Sequence, residues 1–356
     1  MSDSIVSATA LRIFADLADP PTLNRAMDGA WQKPLWQTLE EAGLPLAWVP
    51  DGLGGAGADT ANGFDIAAIS GRFAAPVPLA ETLLAGWLLA QADKKCPAGK
   101  MTVAPCRPRD RITLAPSGQL SGRARGVPFA RDVAHVALLA EGAQGMHIAL
   151  VAQSDCQISD GRALAGVSLG DVTFDAVMPL TVGVAPIGFG PTHLMQMGAV
   201  LRAVETAGSL QAILELATTY AQERVAFGKP IGKFQAVQHN LARLAGEVAA
   251  ATAAAGSAAE AIARIGADPA RFDEGIFLEA AAARIRSAEA ATEGAAIAHQ
   301  VFGAIGFTRE HVLHRYTMRL LSWRDDFGNE SQWAVDLGNR VAAKGADELW
   351  PLLAAR

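Results

Sequence analysis

One stretch decides the fold: YAQERVAFGKPIGKFQAVQH, residues 220–239, where two helical patterns meet at a short break. Gly228 and Pro230 predict the end of the first helix, because glycine adopts left-handed dihedral angles at low cost and proline cannot continue the hydrogen-bond ladder. A second helix is predicted to begin a few residues later. The break therefore places Arg224 on the last turn of one helix and Gln235 on the first turn of the next.

A guanidinium and an amide at such a corner suit the binding of a pyrophosphate. Arginine donates bidentately to phosphate oxygens, and the N–H groups of a first helical turn add a favourable dipole for an anion. The same residues also suit a purely structural role, in which Arg224 complements the dipole at the helix C-terminus and Gln235 caps the next helix. The pattern by itself leaves both interpretations open.

Outward from this corner the sequence is helical almost to its end. Alanine-rich periodic segments separated by short breaks predict four long helices. They lie at about residues 192–227, 234–265, 272–302 and 330–354. Long helices with short connections favour an antiparallel four-helix bundle, and small side chains allow the helix axes to approach closely.

The segment before the bundle has a different character. Between residues 101 and 186, short apolar runs alternate with Gly, Ser, Asp and Pro, which predicts strands of a small β-barrel or sandwich. Residues 8–92 again show helical periodicity. We therefore expect a mostly α protein with a central β domain, divided into an N-terminal helical domain (1–98), the β domain (99–187) and the bundle (188–356).

Composition excludes several classes of protein. The 356 residues carry 30 Lys+Arg against 36 Asp+Glu, a net charge of −6, which argues against a nucleic-acid partner. The residues Met1 to Ser4 do not begin a secretory signal, and no window is apolar enough to span a membrane. Three scattered cysteines lack metal-ligand spacing and suit a reducing compartment. We expect a cytoplasmic protein without a bound metal or a membrane partner.

A second segment, HQVFGAIGFT at residues 299–308, could also carry function. Gln300 and Gly303 lie on one face at the end of a long helix, where a missing side chain lets a ligand or another backbone come close. An ordinary glycine-terminated helix explains the same pattern, and on the residues alone that simpler interpretation is preferred.

Taken together, these segments resemble the acyl-CoA dehydrogenase family. Its members carry R-x-x-F-G followed by F-Q, as at Arg224 to Gln235, and Q-x-x-G-G-x-G-F, as at Gln300 to Phe307. The run from Pro50 to Gly57 resembles the family's P-x-x-x-G-G-x-G loop. The resemblance extends from about residue 30 to residue 340 with the domain order intact.

The resemblance implies a fold, a cofactor and partners. Family members are dimers or tetramers that hold FAD where the β domain meets the bundle and desaturate acyl-CoA thioesters, with electron-transfer flavoprotein as the electron acceptor. By similarity, Arg224, Phe227 and Gln235 would contact the pyrophosphate and adenosine half of FAD. Gln300 and Gly303 would reach the FAD of a neighbouring subunit.

The family's catalytic base is missing from both of its usual positions. The reaction needs a carboxylate beside the α carbon of the substrate. Counting forward from Gln300 places Phe327 at the usual glutamate, and counting back from Arg224 places Gly198 at the position used by a minority of members. Asp326 and Glu330 are nearby in sequence but do not align with the base. Glu205 also lies near the second position, and we assign it a structural role.

The β domain departs from the family as well. The segments at 102–110 and 126–132 match poorly the strand ends that hold the flavin ring in other members, and Ala304 replaces the second glycine of Q-x-x-G-G. Such losses are typical of the shorter subunit of heteromeric bacterial enzymes that act on CoA esters of steroid side chains. This chain is therefore interpreted as the subunit that lacks the base, paired like a homodimer or within a heterotetramer with a second acyl-CoA dehydrogenase subunit.

Two alternatives stay open. The chain could be a self-sufficient dehydrogenase that uses Asp326 or Glu330 as an unconventional base, or a scaffold that binds neither flavin nor thioester. Trp87 and Trp323 could line an acyl pocket, although tryptophan on a helix more often belongs to the core.

Overall fold

A computed structural model describes residues 4–25 and 32–354. Met1 to Asp3, on which the expectation about the N-terminus partly rests, lie outside these ranges. The first part of the chain is helical, as the periodicity predicts. Its helices are α1 (Ile5–Leu17), α2 (Pro20–Arg25), α3 (Gln32–Glu41), α4 (Thr60–Phe73) and α5 (Leu79–Ala90).

The helical ends and crossings follow from local chemistry. Ser4 caps α1, because its hydroxyl accepts a hydrogen bond from the Ser7 backbone N–H at 3.1 Å. Helix α4 packs against the first bundle helix at two glycines. A Cβ atom on Gly71 would lie 2.1 Å from the Glu205 carbonyl oxygen, and one on Gly208 would lie 2.0 Å from that of Ala68. Only glycine permits this close approach.

The central region forms one eight-stranded sheet. Its strands are β1 (Met101–Ala104), β2 (Arg111–Leu114), β3 (Leu120–Pro128), β4 (His135–Gly142), β5 (Gly145–Ala152), β6 (Gln157–Ile158), β7 (Leu169–Val177) and β8 (Thr181–Val184). The order is β6-β7-β3-β2-β4-β5-β8, with β1 pairing in parallel with β4.

The expectation of a β-barrel is wrong in one respect. Among the described residues the end strands β6 and β8 do not pair with each other, so the sheet is not closed. Period-two alternation in β7, where Gly170, Val172 and Phe174 are buried between less buried neighbours, shows why the strands were recognisable. Closure depends on which strands pair, which alternation does not specify.

The last part of the chain is the helical bundle. Its elements are α6 (Pro191–Glu223), the short strands β9 (Val225–Ala226) and β10 (Lys229–Pro230), α7 (Gln235–Arg264), α8 (Glu274–Phe302), α9 (Leu313–Trp323), α10 (Glu330–Lys344) and α11 (Leu349–Ala354). Helix α9 was not predicted. The segment predicted as one helix at 330–354 is broken at Gly345, whose φ of +94° favours glycine.

Alanines bring the bundle helices close together, as the composition predicts. Ala251, Ala255 and Ala258 of α7 are buried, and a Cβ atom on Gly294 of α8 would lie 2.6 Å from Leu210 of α6. Asp273 caps α8 by accepting from the Ile276 N–H at 3.0 Å.

Two apolar clusters organise the molecule. The larger joins the N-terminal helices, the sheet and the first half of α6, and the smaller lies at the far end of the bundle, around Leu210, Leu244 and Phe302. Strand β1 begins at Met101 and α6 at Pro191, whereas the domain limits at 98/99 and 187/188 stay predictions. Within the described part of the chain, no helix combines the length and apolarity needed to cross a membrane.

Candidate functional site

The break between α6 and α7 is a β-hairpin and not the helix stop that glycine suggested. Helix α6 ends earlier, at Glu223, and β9 pairs with β10. Phe227 (φ +52°) and Gly228 (φ +77°) form the turn, and two residues with positive φ are typical of tight hairpin turns. Arg224 therefore follows the helix in extended conformation (φ −70°, ψ 116°) and is not on its last turn.

The hairpin exposes Phe227 almost completely. Its side chain is 96% exposed, and its ring meets that of Phe234 edge-on at a centroid distance of 6.2 Å. A phenylalanine with positive φ is strained, and a large exposed apolar side chain gains nothing from the core of this chain. Both observations favour a role in contact with another molecule.

The same corner carries cationic groups that the fold does not use. Arg224 is exposed, and within residues 4–25 and 32–354 its side chain has no hydrogen-bond or ion-pair partner. Lys229 Nζ lies 4.4 Å from the Phe234 ring centroid. These cations leave a positive surface beside the start of α7.

The start of α7 has no side-chain cap. Phe234 occupies the N-cap position without a capping hydrogen bond, and Gln235 is the first helical residue, with an exposed side chain. The structural interpretation required Gln235 to cap the helix, and Gln235 does not do so. The backbone N–H groups of Gln235 and Ala236 have no partner among the described residues, so they are available to an anion.

Tyr220 brings the second predicted segment to this corner. Its ring stacks on Phe302 at 4.4 Å, and its hydroxyl donates to the Phe302 carbonyl oxygen at 3.4 Å. The end of α6 therefore lies beside the end of α8. Gln300 is exposed there, and Gly303 adopts φ +64° with no atom within 4 Å of the place a Cβ would take. The space above Gly303 is open, as contact with another chain or a ligand would require.

The two family base positions lie against each other in the interior. A Cβ atom built on Gly198 would lie 2.3 Å from the Phe327 ring, so the phenylalanine occupies the space that a side chain at residue 198 would need. Phe327 is 2% exposed and adopts φ +54°. The Phe327 ring therefore packs in the space beside Gly198, and one packing contact accounts for the residues found at both positions.

Next to Phe327 lies a buried cluster of charges centred on Arg202, which we call the Arg202 cluster. Arg202 donates through Nε to Asp326 at 2.9 Å, through Nη1 to Glu205 at 2.5 Å, and through Nη2 to Glu81. All four residues are less than 9% exposed. Glu205 thus has the structural surroundings that its assignment requires, and Asp326 is held in an ion pair.

Burial controls the titration of these groups. Desolvation raises the pKa of Glu205 to about 7 although Arg202 opposes the shift, and it raises the pKa of Asp326 in the same way. Arg284 is also buried, with its pKa lowered to about 10, and it donates to the carbonyl oxygens of Asp326 and Gly328. The other carboxylate considered as a base, Glu330, pairs with Arg324, and its pKa is lowered.

A narrow cavity lies between the sheet and this cluster. Its volume is about 210 Å³, below the roughly 300–1,000 Å³ of common ligand pockets. Phe129, Arg319, Trp323 and Asp326 border it. Trp87 and Trp323 are both buried, at 3% and 5% exposure, so they belong to the core even though Trp323 also faces this cavity.

The β-domain segments that depart from the family are bonded within the chain. The Asp110 carboxylate accepts from the Arg125 backbone N–H at 2.6 Å and from its Nε at 2.7 Å. The Thr102 hydroxyl donates to the Pro128 carbonyl oxygen at 2.8 Å. These polar side chains bond segments of the β domain to each other.

Sequence reasoning missed the Arg202 cluster. A signal was present, because Arg202 and Arg284 each interrupt a long apolar helical run and arginine is seldom fully buried without partners. No group of three or more His, Cys, Asp or Glu residues in the described ranges could hold a metal ion.

The order of helices, then a sheet, then a helical bundle matches the acyl-CoA dehydrogenase fold. Residues 191–325 match the family model "Acyl-CoA dehydrogenase, C-terminal domain". The chain is 29% identical to acyl-CoA dehydrogenase IpdE2 of Mycobacterium tuberculosis, over 87% of this chain and 88% of that protein. These similarities support a member of the acyl-CoA dehydrogenase family, and the similar proteins support an oxidoreductase that acts on the CH–CH group of acyl-CoA.

Two solved structures share the fold over nearly the whole chain. The ChsE4-ChsE5 complex from Mycobacterium tuberculosis has a TM-score of 0.83 and 22% identity, covering 96% of this chain and 97% of that one. A variant of the steroid acyl-CoA dehydrogenase Tcur3481-Tcur3483 has a TM-score of 0.81 and 25% identity, covering 95% and 97%.

Proposed function

We propose that this chain is the subunit that lacks the catalytic base in a heteromeric, FAD-dependent acyl-CoA dehydrogenase. The observation that carries the proposal is the contact between Gly198 and Phe327. Both family base positions are without a carboxylate, and the ring of one fills the space of the other. A partner subunit then has to supply the carboxylate that removes the α proton.

The narrow cavity supports this division of labour. The place where the sheet meets the bundle measures about 210 Å³ and is bordered by the Arg202 cluster, Arg319 and Trp323. A flavin ring and an acyl thioester would have to displace buried, mutually paired charges, which is costly. The chain's own cleft is therefore closed to chemistry, and the reacting atoms belong in the cleft of the partner.

The α6–α7 corner fits the nucleotide half of FAD. When bound, the flavin accepts the hydride in the family reaction. Arg224 would donate to the pyrophosphate, the free N–H groups at the start of α7 would add to it, and Phe227 would pack on the adenosine. Gln300 and Gly303 lie at the same end of the bundle and would contact the flavin nucleotide held by the partner.

The substrate class we propose is the CoA ester of a steroid side chain. Support comes from the likeness to Tcur3481-Tcur3483, a steroid acyl-CoA dehydrogenase, and from the fold shared with the two-component ChsE4-ChsE5 complex. By family resemblance, electron-transfer flavoprotein would reoxidise the flavin.

The test is coexpression with an acyl-CoA dehydrogenase subunit that carries glutamate at one of the two base positions. The chain purified alone should bind little FAD and show no dehydrogenation, whereas the complex should contain flavin and oxidise the acyl-CoA. Tightly bound FAD and turnover in the lone chain would overturn the proposal. Flavin missing from every complex would instead support a scaffold without cofactor.

One observation favours a second possibility, a self-sufficient enzyme with Asp326 as base. Asp326 directly precedes Phe327 in sequence and borders the narrow cavity, and its raised pKa suits proton transfer. Substituting Asp326→Asn and, as a comparison, Glu330→Gln decides the matter. Exchange of the substrate α proton by the lone chain, lost in one of the two variants, would assign that residue as the base.

A further inference from the structure

A basic cleft lies apart from the α6–α7 corner, between the β6–β7 loop and α9. Its volume is about 480 Å³, and it adjoins a larger cavity of about 690 Å³. The cleft is bordered by five basic side chains, which are Arg162, Arg309, His314, Arg315 and Arg319. We call this site the basic cleft.

The positive charge of the basic cleft is only partly offset within the protein, because Glu205, Glu81 and Asp326 act electrostatically on Arg319. No Asp or Glu among the described residues lines it. Arg315 donates through Nε to the amide oxygen of Asn24 at 3.1 Å, and Arg162 donates to the Gly166 carbonyl oxygen at 3.1 Å. These partners are neutral. Burial and the neighbouring charge of Arg309 lower the pKa of Arg315, which shows that like charges meet here.

Arg319 provides an independent indication of a ligand. It is 4% exposed and borders both the basic cleft and the narrow cavity. Its Nη2 donates to the Ala75 carbonyl oxygen at 2.6 Å, but its Nε is buried without a hydrogen-bond partner among the described residues. Burying the Arg319 Nε–H without an acceptor lowers the stability of the fold. A bound anion could accept this hydrogen bond and offset that cost.

The chemistry of the cleft selects the class of anion. Guanidinium groups are planar forks whose paired N–H donors match the oxygens of phosphate, and a cluster of them favours a multiply charged phosphate over a single carboxylate. The chain as a whole is acidic, with a net charge of −6, so the basic surface is local and does not suit a nucleic acid. We propose that the basic cleft binds the phosphate groups of a small molecule, such as a nucleoside diphosphate or a pyrophosphate ester.

This site does not depend on the proposed function, because it uses none of the residues at the α6–α7 corner. The corner itself is expected to attract pyrophosphate through Arg224, so the two sites must be separated in the test. The titration is therefore performed on the full chain carrying Arg224→Ala, with inorganic pyrophosphate as the probe and calorimetry at low ionic strength as the readout.

Adding Arg309→Ala and Arg315→Ala to this background should weaken pyrophosphate binding at least about tenfold. Arg12→Ala, which removes an exposed arginine on α1 instead, should leave the affinity unchanged. Circular dichroism and the unfolding midpoint show that each variant is folded. Affinities that agree within about twofold in the cleft variant and in the Arg12 control would overturn the proposal.

Competition identifies the source of the phosphate. CoA and ADP are each titrated against bound pyrophosphate in the Arg224→Ala background. Displacement by CoA at lower concentration than by ADP would assign the cleft to the phosphates of a CoA ester, and the reverse order would assign it to a free nucleotide. Failure of both compounds and of pyrophosphate to bind would refute the site.

Discussion

The α6–α7 corner and the Arg202 cluster use the same types of residue for opposite purposes. At the corner, Arg224 is exposed and unpaired within the described residues, and Phe227 is 96% exposed. In the interior, Arg202 is 2% exposed and bonded to three carboxylates, and Phe327 is 2% exposed against Gly198. The corner leaves its charged and apolar side chains exposed to solvent. In the interior, the charged side chains pair with each other and the apolar ring packs against the chain.

This difference separates a surface that is available to a ligand from a buried cluster that is bonded within the chain. A buried arginine that is bonded to three carboxylates of its own chain has little remaining capacity for a ligand. An exposed arginine beside uncapped helical N–H groups contributes almost nothing to the fold, so a structural role does not account for it. The comparison therefore supports the proposals that the corner contacts the nucleotide and that the partner subunit supplies the catalytic base.

The largest effect is expected from Arg202→Ala. It leaves three buried carboxylates without their shared cation, which should lower the free energy of unfolding by about 3–5 kcal/mol. Urea denaturation measures the change. The matched control is Arg243→Ala, because Arg243 pairs with Glu293 on the surface with both side chains more than half exposed, and its loss should cost less than about 1 kcal/mol. Equal effects of the two substitutions would show that the Arg202 cluster is not a structural unit.

The shared space of the two base positions predicts coupled substitutions. Gly198→Ala places a methyl group within the Phe327 ring and should destabilise the chain by about 1–3 kcal/mol. Combining it with Phe327→Ala should cost less than the sum of the two single changes, because the methyl group then enters the vacated space. Additive unfolding free energies in the double-mutant cycle would contradict direct packing between the two residues.

The next prediction concerns how the free energy of unfolding depends on pH through the titration of Glu205. Burial raises its pKa to about 7 from an ordinary value of 4.5, so the folded state binds the proton more tightly than the unfolded state. Its stabilising contribution is complete below about pH 4.5 and is lost as the pH rises through about 7, a change of about 3 kcal/mol. Glu205→Gln stays neutral and should flatten the unfolding free energy between these pH values. An unchanged slope in this variant would assign the pH dependence to another group.

The smallest change in stability is expected at the corner. Arg224→Ala should alter the free energy of unfolding by less than about 0.5 kcal/mol, because the side chain has no partner among the described residues. In the complex with a base-carrying subunit, the same change should weaken FAD binding about ten- to a hundredfold, as the loss of a charged hydrogen bond predicts. Flavin fluorescence measures the affinity, and Arg12→Ala is the control. An unaltered FAD affinity would remove the corner from the cofactor site.

The sequence predicted the architecture better than its boundaries. Helical patterning identified α6, α7 and α8 because each is an alanine-rich segment of about thirty residues without an internal proline after its first turn. It predicted that α6 ends at Gly228, although the helix ends at Glu223. A glycine with positive φ is typical both of a helix C-terminus and of a hairpin turn, so the sequence does not distinguish the two. Helix α9 was missed because it is short and follows a glycine-rich break.

Residue types and spacing by themselves indicated the helix–sheet–helix order, because that order follows from local pattern. The motifs in the sequence resemble the acyl-CoA dehydrogenase family, and that resemblance identified residues 198 and 327 as base positions without a carboxylate. Only the tertiary structure decided that these two residues occupy one space, that Arg202 gathers Glu81 and Asp326 from more than 120 residues away, and that the sheet stays open. Contacts between distant segments depend on how helices and strands pack, and packing is a property of the whole chain and not of any window within it.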